Sequence, residues 1–301
     1  MKKIKKGARI IGIIRHDTGA WLLILPALLC VYFSIVRPQA LACVWSFFDM
    51  KGYTPTKFAG LDNYRVVLTD TAFLKTFFNT LLYVGYSLVV GFIPPVIVAL
   101  VMNELVHLRK LTRVVVYLPS VIPAVAVSLL WYFMYSPDQT GLLNIIIMKM
   151  GGEPYAWLQD ARYTILYIVI SMAWSATGGT AIYYFAALQG VNREMYEAAV
   201  IDGAGFLGRL RVVTLPYLSG AILLFLVRHV IGVFSIMEQP LQMTDGGPNN
   251  ASVSLGLLNY RYAFSDGRPQ YAMALGVIMF IILMAATAGY FKLSNKVEDS
   301  L

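Results

Sequence analysis

The titratable and nucleophilic side chains of this sequence are not spaced for catalysis. Its three histidines, His16, His107 and His229, stand far apart, and none belongs to a His-Glu-x-x-His pattern. The two cysteines, Cys30 and Cys43, share one apolar run, and a helix would separate them by about 20 Å along its axis. That distance is too long for a disulfide, and no histidine stands at a chelating spacing to either cysteine. The sequence therefore predicts neither a metal centre nor an enzyme active site within a membrane.

Residues 203–208 read Gly-x-Gly-x-x-Gly, a pattern that can bind the phosphates of a dinucleotide. That function requires a preceding strand and a long following helix, whereas these glycines lie between two long apolar runs. The sequence also contains no Gly-x-x-x-x-Gly-Lys-Ser/Thr phosphate loop. We therefore predict no nucleotide site of either type in this chain.

The composition indicates that lipid is the solvent for much of the surface. Of the 301 residues, 58% are hydrophobic and 13% are charged, and the mean hydropathy is +0.66. Soluble domains carry about 25% charged residues. The net charge of +8 could suggest a nucleic-acid partner. The basic residues stand between apolar runs rather than on one stripe, so membrane orientation explains them better, and no nucleic acid is predicted among the partners.

The apolar residues form runs that are long enough to cross a bilayer, which takes about 20 residues as a helix. Six runs meet this requirement: 21–48, 80–102, 114–135, 163–188, 213–237 and 271–292. In the first run, Arg37 and Pro38 predict an early end of the span, with the remainder at the interface. Prolines within other runs are compatible with spanning helices, because neighbouring helices can satisfy the freed carbonyls. The expected fold class is all-α, a polytopic membrane protein with six transmembrane helices between residues 19 and 292.

The positions of lysine and arginine predict the orientation. The basic segment 1–18 could begin a signal peptide, but the following run is too long and no small-residue cleavage site follows it, so we expect a retained signal-anchor. With this segment inside, the inner segments carry 14 Lys and Arg, and the outer segments carry eight over more residues. By the positive-inside rule, the segment 1–18 and the tail 293–301 are both predicted to be cytoplasmic.

The segment between the fourth and fifth runs, which we call the 193–216 loop, is too polar to span a membrane and too structured for a plain linker. Residues 193–202 are good helix formers with acids in the early turns, and Gly203 stands where a helix stop is expected. Gly205 and Gly208 permit a sharp reversal, and Pro216 opens the next run. The pattern predicts a short helix and a turn at the inner membrane surface.

The 193–216 loop resembles the E-A-A loop of ABC importer permeases, whose pattern is Glu-Ala-Ala, three residues, Gly, nine residues, an aliphatic residue, any residue and Leu-Pro. The matching residues are Glu197, Ala198, Ala199, Gly203, Val213, Leu215 and Pro216. Val213 stands where the family usually has Ile. Tyr196 before this pattern, and Ile-Asp-Gly-Ala at 201–204, are similar to the carbohydrate-uptake branch. Weaker similarity extends over nearly the entire chain and includes Thr-Asp-Gly-Gly-Pro at 244–248.

This resemblance implies a transport role rather than an enzymatic one. In such permeases the E-A-A segment is a coupling helix that docks on a separate ATPase subunit. The expected coupling residues here are Glu197, Ala198, Ala199, Gly203, Leu215 and Pro216. The implied partners are a second permease subunit, often a different chain, two ATP-binding cassette subunits and an external solute-binding protein. ATP and Mg²⁺ would be bound by the ATPase, with no cofactor in this chain. The implied location is a bacterial or archaeal-type cytoplasmic membrane.

Polar side chains that we assign to the fourth and fifth spans are the candidate solute path, because polar groups at membrane depth usually face a cavity or a partner. Aromatic faces and hydrogen-bonding groups together suit a sugar or oligosaccharide. The candidates are Trp174, Ser175, Thr177, Tyr183, Ser235, Glu238 and Gln239. The alternative is that the aromatic residues anchor helices at the lipid interface and that the hydroxyls pack helices together. His229 could relay protons, although ATP-driven import needs no relay.

A self-sufficient secondary transporter is the main alternative function. Such a protein would typically show two related halves and broken helices, and no internal repeat is visible in this sequence. The solute itself stays open. The carbohydrate-uptake branch handles mono- and oligosaccharides and some polyol phosphates, and Arg261 and Arg268 in an outer segment leave an anionic sugar open as well.

Overall fold

A computed structural model describes residues 18–104 and 109–298. Nearly all of the predicted basic segment 1–18, and the last residues of the predicted tail 293–301, lie outside the described residues. The division of the chain into these segments and a permease domain therefore stays a prediction.

The described chain is mostly helical. Its α-helices are α1 (Thr18–Val31), α2 (Arg37–Trp45), α3 (Asp62–Thr69), α4 (Thr71–Ser87), α5 (Ile93–Glu104), α6 (Arg109–Val121), α7 (Ala124–Met134), α8 (Leu142–Lys149), α9 (Thr164–Leu188), α10 (Arg193–Ile201), α11 (Phe206–Arg209), α12 (Leu215–Phe234), α13 (Glu238–Thr244), α14 (Leu255–Tyr260) and α15 (Pro269–Glu298). Wider π-helical turns occur at Tyr32–Val36, Leu88–Phe92, Leu210–Thr214 and Arg261–Ser265, and a 3₁₀ turn at Trp157–Gln159.

Within the described residues, several helices join end to end into stretches that are long and apolar enough to cross a membrane. Five are continuous: Gly19–Trp45, Thr71–Glu104, Thr164–Leu188, Phe206–Phe234 and Pro269–Lys292. A sixth is the pair Leu111–Val121 and Ala124–Met134, whose axes meet at 91°. We call these stretches spans one to six in chain order, with the bent pair as span three. The prediction of a polytopic helical membrane protein is thereby confirmed, while six crossings and cytoplasmic termini stay predictions.

Two of the predicted spans differ from the structure in shape. Span one does not end at Arg37 and Pro38, because a π-helical turn leads directly into α2, whose first turn holds the proline. Proline fits a first helical turn, since its fixed φ is already helical. Span three, in contrast, is interrupted at Ile122. Pro123 has an extended backbone (ψ 139°) and disfavours the helical conformation in the residue before it.

A β-hairpin that the sequence pattern did not predict follows span one. Strand β1 (Phe48–Lys51) pairs with the antiparallel strand β2 (Thr54–Phe58). The buried Asn63 side chain on α3 donates hydrogen bonds to the carbonyls of Ser46 (2.9 Å) and Phe48 (3.0 Å). These bonds satisfy backbone carbonyls at the end of span one and fix the hairpin against α3.

The segment that contains the Thr-Asp-Gly-Gly-Pro sequence is bound to one face of span two. Asn79 donates hydrogen bonds to the carbonyls of Asn250 and Val253, each at 3.0 Å. The buried Tyr83 hydroxyl donates to the carbonyl of Ser252, also at 3.0 Å. Because a buried backbone carbonyl without a partner is costly, these bonds hold the segment 244–254 in place between spans two and six.

Spans three and four cross at Gly178, which is buried. A Cβ atom on Gly178 would lie 1.9 Å from the carbonyl oxygen of Val116 and 3.0 Å from the Cα of Tyr117. Both are backbone atoms, so no side-chain rotation could relieve the overlap. Small residues allow this kind of close backbone approach between membrane helices.

We expect Gly178→Ala to destabilise the protein by about 3 kcal/mol, since overpacking typically costs 1–3 kcal/mol or somewhat more. Thermal unfolding of the purified chain in detergent should show a midpoint lowered by roughly 5–10 °C. Gly179→Ala is the matched control, because its Cβ would meet only the Ser120 side chain, at an ordinary 3.6 Å. Equal midpoints for the two variants would contradict the close crossing at Gly178.

Candidate functional site

The 193–216 loop contains the predicted short helix, with a defined start and a defined end. Helix α10 is N-capped by Asn192, whose side chain accepts a hydrogen bond from the Glu194 amide (3.0 Å). At the other end the amide of Gly203 donates to the carbonyl of Val200 (3.0 Å), and that of Ala204 donates to Ala199 (2.8 Å). This pair of bonds is the Schellman arrangement, which needs a left-handed residue after the helix. Gly203 fills that position with φ +81°.

Helix α10 of the loop contacts the first residues of span five. The Tyr196 hydroxyl lies 3.0 Å from the Thr214 hydroxyl, and Ala199 and Val213 are both buried. Leu215 and Pro216 begin α12, directly after the π-helical turn. These contacts indicate that α10 and the start of span five are held together.

The opposite face of the loop is exposed and largely apolar. Ile201 and Leu207 are 85% and 73% exposed, and Met195 and Val200 are also exposed. Glu197 and Ala198 lie on the solvent side as well. Glu197 forms an ion pair with Arg193 (3.1 Å), but both side chains are so exposed that the pair contributes little to stability. A rigid surface with this many exposed apolar side chains is typical of a protein–protein contact.

The sequence pattern identified Glu197, Ala198 and Gly203 in this loop but not its exposed apolar residues. The end of α10 and the turn after it contain three of these residues, Ile201, Phe206 and Leu207. An apolar side chain at such a position can be either buried or exposed. The 3.6-residue repeat could have indicated Ile201, which stands four residues after Glu197 on the same side of α10.

A cavity of about 570 Å³ lies between spans two, three, four and five. Its polar lining is small and consists of Ser87, Ser120, Ser175, Thr180, Tyr183, Arg228 and His229. Apolar and small residues, among them Phe225, Gly179 and Gly232, form the rest of the described wall. Tyr183 and Phe225 stack with ring centroids 5.7 Å apart. The 193–216 loop joins the two helices, α9 and α12, that contribute most of this lining.

Two of the predicted path residues, Ser175 and Tyr183, line this cavity. Trp174 and Thr177 lie on the same helix and are not among its lining residues. Trp174 instead packs edge-on against Trp131, with centroids 6.0 Å apart. The Thr177 hydroxyl donates to the Ala173 carbonyl (2.6 Å), a bond within its own helix.

We expected the remaining three predicted path residues on span five, but none of them lies within its helix. Helix α12 ends at Phe234 and Ser235 caps it, so Glu238 and Gln239 belong to the separate helix α13. Ser235 lines a second cavity, of about 750 Å³, between span one, α14 and span six. The apolar residues Ile236 and Met237 extended the predicted run beyond the true end of the helix.

One end of the first cavity is closed by packed side chains. Val169 and Val233 line the cavity and also belong to a buried cluster with Tyr83, Ile236 and Met243. Met243 is carried by α13, and the Ser171 hydroxyl lies 3.4 Å from its sulfur. The cavity is therefore closed at the end that α13 covers, which is remote from the 193–216 loop.

The segment between spans three and four is held together by side-chain hydrogen bonds. The buried Asn144 accepts hydrogen bonds from the Tyr155 amide (3.0 Å) and the Trp157 indole (2.8 Å). The Tyr155 hydroxyl donates to the Asp160 carboxylate, and this bond, with the amide of Arg162, lowers the pKa of Asp160. The segment thus presents fixed aromatic side chains at this surface.

These features define a helical membrane protein that has a partly polar cavity between its spans and an exposed, capped loop helix. Residues 91–296 match the family described as the inner membrane component of binding-protein-dependent transport systems. The chain belongs to this family, which confirms the predicted resemblance. Among the residues that the structure describes, no group of His, Cys, Asp or Glu is arranged to hold a metal ion.

Individual relatives match over almost the full chain. The lactose transport system permease protein LacF of Rhizobium radiobacter is 30% identical over 282 residues, 92% of this chain and 93% of that protein. The trehalose/maltose transport system permease protein MalF of Thermococcus litoralis is 30% identical over 287 residues, 95% and 96% of the two chains. A bacterial ABC transporter involved in alginate import has a chain of the same fold, with a TM-score of 0.83, 23% identity, and coverage of 96% and 99%.

Proposed function

We propose that this chain is the membrane-spanning permease subunit of an ATP-driven, binding-protein-dependent importer of a sugar or oligosaccharide. Membership of the family and the names of sugar permeases among its relatives support this function. The complex would contain a second permease, two ATPase subunits that bind ATP and Mg²⁺, and an external solute-binding protein. A complex of a related alginate transporter with its solute-bound periplasmic protein supports the last of these partners. We assign the chain to the cytoplasmic membrane, with both termini cytoplasmic.

The observation that carries the coupling role is the position of the 193–216 loop. Its helix is fixed to span five through Tyr196 and Thr214, and its exposed face offers Ile201 and Leu207 to a partner. The loop connects α9 and α12, the two helices that line most of the cavity. A movement of the ATPase that displaces the loop would therefore displace both helices. In an alternating-access cycle, such a rigid-body movement would close one end of the cavity and open the other.

We expect Glu197→Lys to leave the protein inserted in the membrane but to reduce ATP-driven uptake by about tenfold or more. Glu197 is exposed on the proposed docking face, and a lysine there would repel a cation of the partner. Glu194→Lys is the control, since it makes the same charge change in the first turn of the same helix. Uptake by proteoliposomes that contain the whole complex measures the effect, and normal uptake by Glu197→Lys would contradict the coupling assignment.

Co-purification tests the importer itself. The tagged chain, expressed with its neighbouring genes and extracted in detergent, should bring down a second permease and an ATPase. A chain that purifies alone under all conditions would favour a channel or a secondary carrier instead.

Protease treatment of intact cells that carry terminal tags tests whether both termini are cytoplasmic. Cleavage of either tag would contradict that topology.

A further inference from the structure

An arginine lies within the most apolar part of span five. Arg228 is in α12, six residues before the helix ends at Phe234, and its neighbours are mainly leucine and valine. Its side chain is exposed and lines the cavity of about 570 Å³. A charged side chain at membrane depth is costly and usually serves a solute path or a partner group. The position of Arg228 therefore requires an explanation.

No carboxylate of the described chain pairs with this arginine. The ion pairs among the described residues are Arg193 with Glu197 and Arg261 with Asp245. None of the described residues that line the cavity is Asp or Glu. Glu238 cannot reach Arg228 along the helix, because ten residues correspond to about 15 Å and Glu238 begins a separate helix. The cavity thus carries a positive charge that nothing in the described chain neutralises.

The neighbours of Arg228 are suited to a sugar ring. Phe225 is three residues earlier on the same face of α12, about 4.5 Å along the axis, and it stacks with Tyr183 of span four. The hydroxyls of Thr180 and Tyr183 have no hydrogen-bond partner among the described residues. Gly232, one turn beyond Arg228, also lines the cavity, and no atom lies within 4 Å of the position that its Cβ would occupy.

The ring of His229, which also lines the cavity, is fixed by its neighbours. Its Nε2 atom lies 3.2 Å from the Ser87 carbonyl, and its ring packs on Phe92 with centroids 5.7 Å apart. A Cβ atom on Gly91 would approach the histidine ring to 3.2 Å, so the ring is closely held between spans two and five. Arg228, in contrast, is exposed to the cavity.

We propose that the solute is an anionic sugar whose acidic group pairs with Arg228 while its ring lies against Tyr183 and Phe225. The planar guanidinium offers two parallel donors, a geometry that matches the oxygens of a carboxylate, phosphate or sulfonate. A neutral sugar would leave the guanidinium in this cavity without a partner of opposite charge. This inference rests on the proposed transport function and specifies its substrate class.

The test uses the whole importer, with its second permease, ATPases and binding protein, in proteoliposomes. Matched pairs of acidic and neutral sugars are supplied outside: digalacturonate with galactobiose, glucose 6-phosphate with glucose, and a 6-sulfonated glucose with glucose. Mass spectrometry of the lumen identifies what ATP has accumulated, and the three pairs distinguish carboxylate, phosphate and sulfonate. We expect the acidic member of at least one pair to accumulate and its neutral counterpart not to.

Variants of the arginine then locate the charge that selects the solute. Arg228→Gln should raise the KM for the acidic sugar at least tenfold, as expected for the loss of a charge-assisted hydrogen bond, and Arg228→Lys should raise it less. Arg65→Gln, which removes an exposed arginine on α3, is the control and should leave KM unchanged. Co-purification of the second permease with Arg228→Gln should remain normal.

The outcomes separate this inference from the proposed function. Accumulation of a neutral sugar alone, or an unchanged KM in Arg228→Gln, would contradict the anionic substrate while the importer stands. Loss of the second permease from Arg228→Gln would instead assign the arginine to a carboxylate of that partner. If the accumulation of every sugar were independent of ATP, the result would contradict both the substrate class and the importer function.

Discussion

Replacing Gly203 by valine is expected to reduce ATP-driven uptake by at least tenfold while the protein still inserts in the membrane. Gly203 has φ +81°, where a β-branched residue is a steric outlier, and such strain costs on the order of 1–3 kcal/mol. No atom lies within 4 Å of the position that a Cβ would occupy, so the effect comes from the backbone and not from a clash. The turn after α10 would rearrange, and the exposed residues that follow it would lose their fixed direction.

A graded series and a neighbouring glycine make this prediction specific. Gly203→Asn should retain more uptake than Gly203→Val, because asparagine tolerates the left-handed conformation. Gly205→Val is the control, since Gly205 also has open space around it but an ordinary extended backbone (φ −66°, ψ −174°). Uptake and ATPase activity of the reconstituted complex measure all three variants. Equal losses in Gly203→Val and Gly205→Val would show that added bulk in the loop, rather than the turn geometry, disturbs coupling.

The local features of the 193–216 loop were predictable because short-range rules determine them. The good helix formers of residues 193–202, the acids in the early turns and Gly203 at the stop together predict α10 and its end, and the structure has the helix at Arg193–Ile201. The apolar runs likewise predicted the long helices, because a bilayer sets a minimum length. In both cases the prediction depends only on residues that are close together in the sequence.

The ends of the helices were less predictable, because an apolar run and a helix need not stop together. Span five was expected to reach Met237, yet the chain leaves the helix at Ser235. Ile236 lies beyond the helix and packs in a buried cluster. Burial in that cluster, and not a place in the helix, explains its apolar side chain. Glu238 and Gln239 were therefore expected on span five, whereas they lie on α13, and their place in the solute path stays a prediction. The bend at Pro123 was missed for a related reason, since the same residue can kink a membrane helix slightly or break it.

The lining of the cavity could be predicted only in part, at Ser175 and Tyr183, because it depends on how four spans pack together. Ser120 illustrates this: its hydroxyl donates to the Ser175 carbonyl (2.6 Å) and accepts from the Gly179 amide (2.9 Å). Those bonds exist only because Gly178 lets spans three and four approach. Arg228 did have a sequence signal, as a single charge within an apolar run, but the sequence could not show whether it faced a cavity, lipid or another helix.

Aspartate at both Ile201 and Leu207 is expected to weaken binding of the ATPase subunit by about a hundredfold. These side chains are the most exposed large apolar residues of the 193–216 loop, and burial of one such side chain contributes about 1.5–3 kcal/mol. Two charges in a desolvated contact would add a further cost. The double variant should retain the fold of the loop, because neither side chain packs against the rest of the described chain.

Pull-down of the ATPase by the tagged chain, with titration of purified ATPase in nanodiscs, measures this loss. Leu61→Asp is the control, because Leu61 is also an exposed leucine, 68% accessible, but lies beside the β-hairpin and not in the loop. It should bind the ATPase like the wild type. Unchanged affinity in the double variant would mean that the exposed face of the loop does not carry the contact. The attachment of α10 to span five would then have to transmit a signal from some other partner.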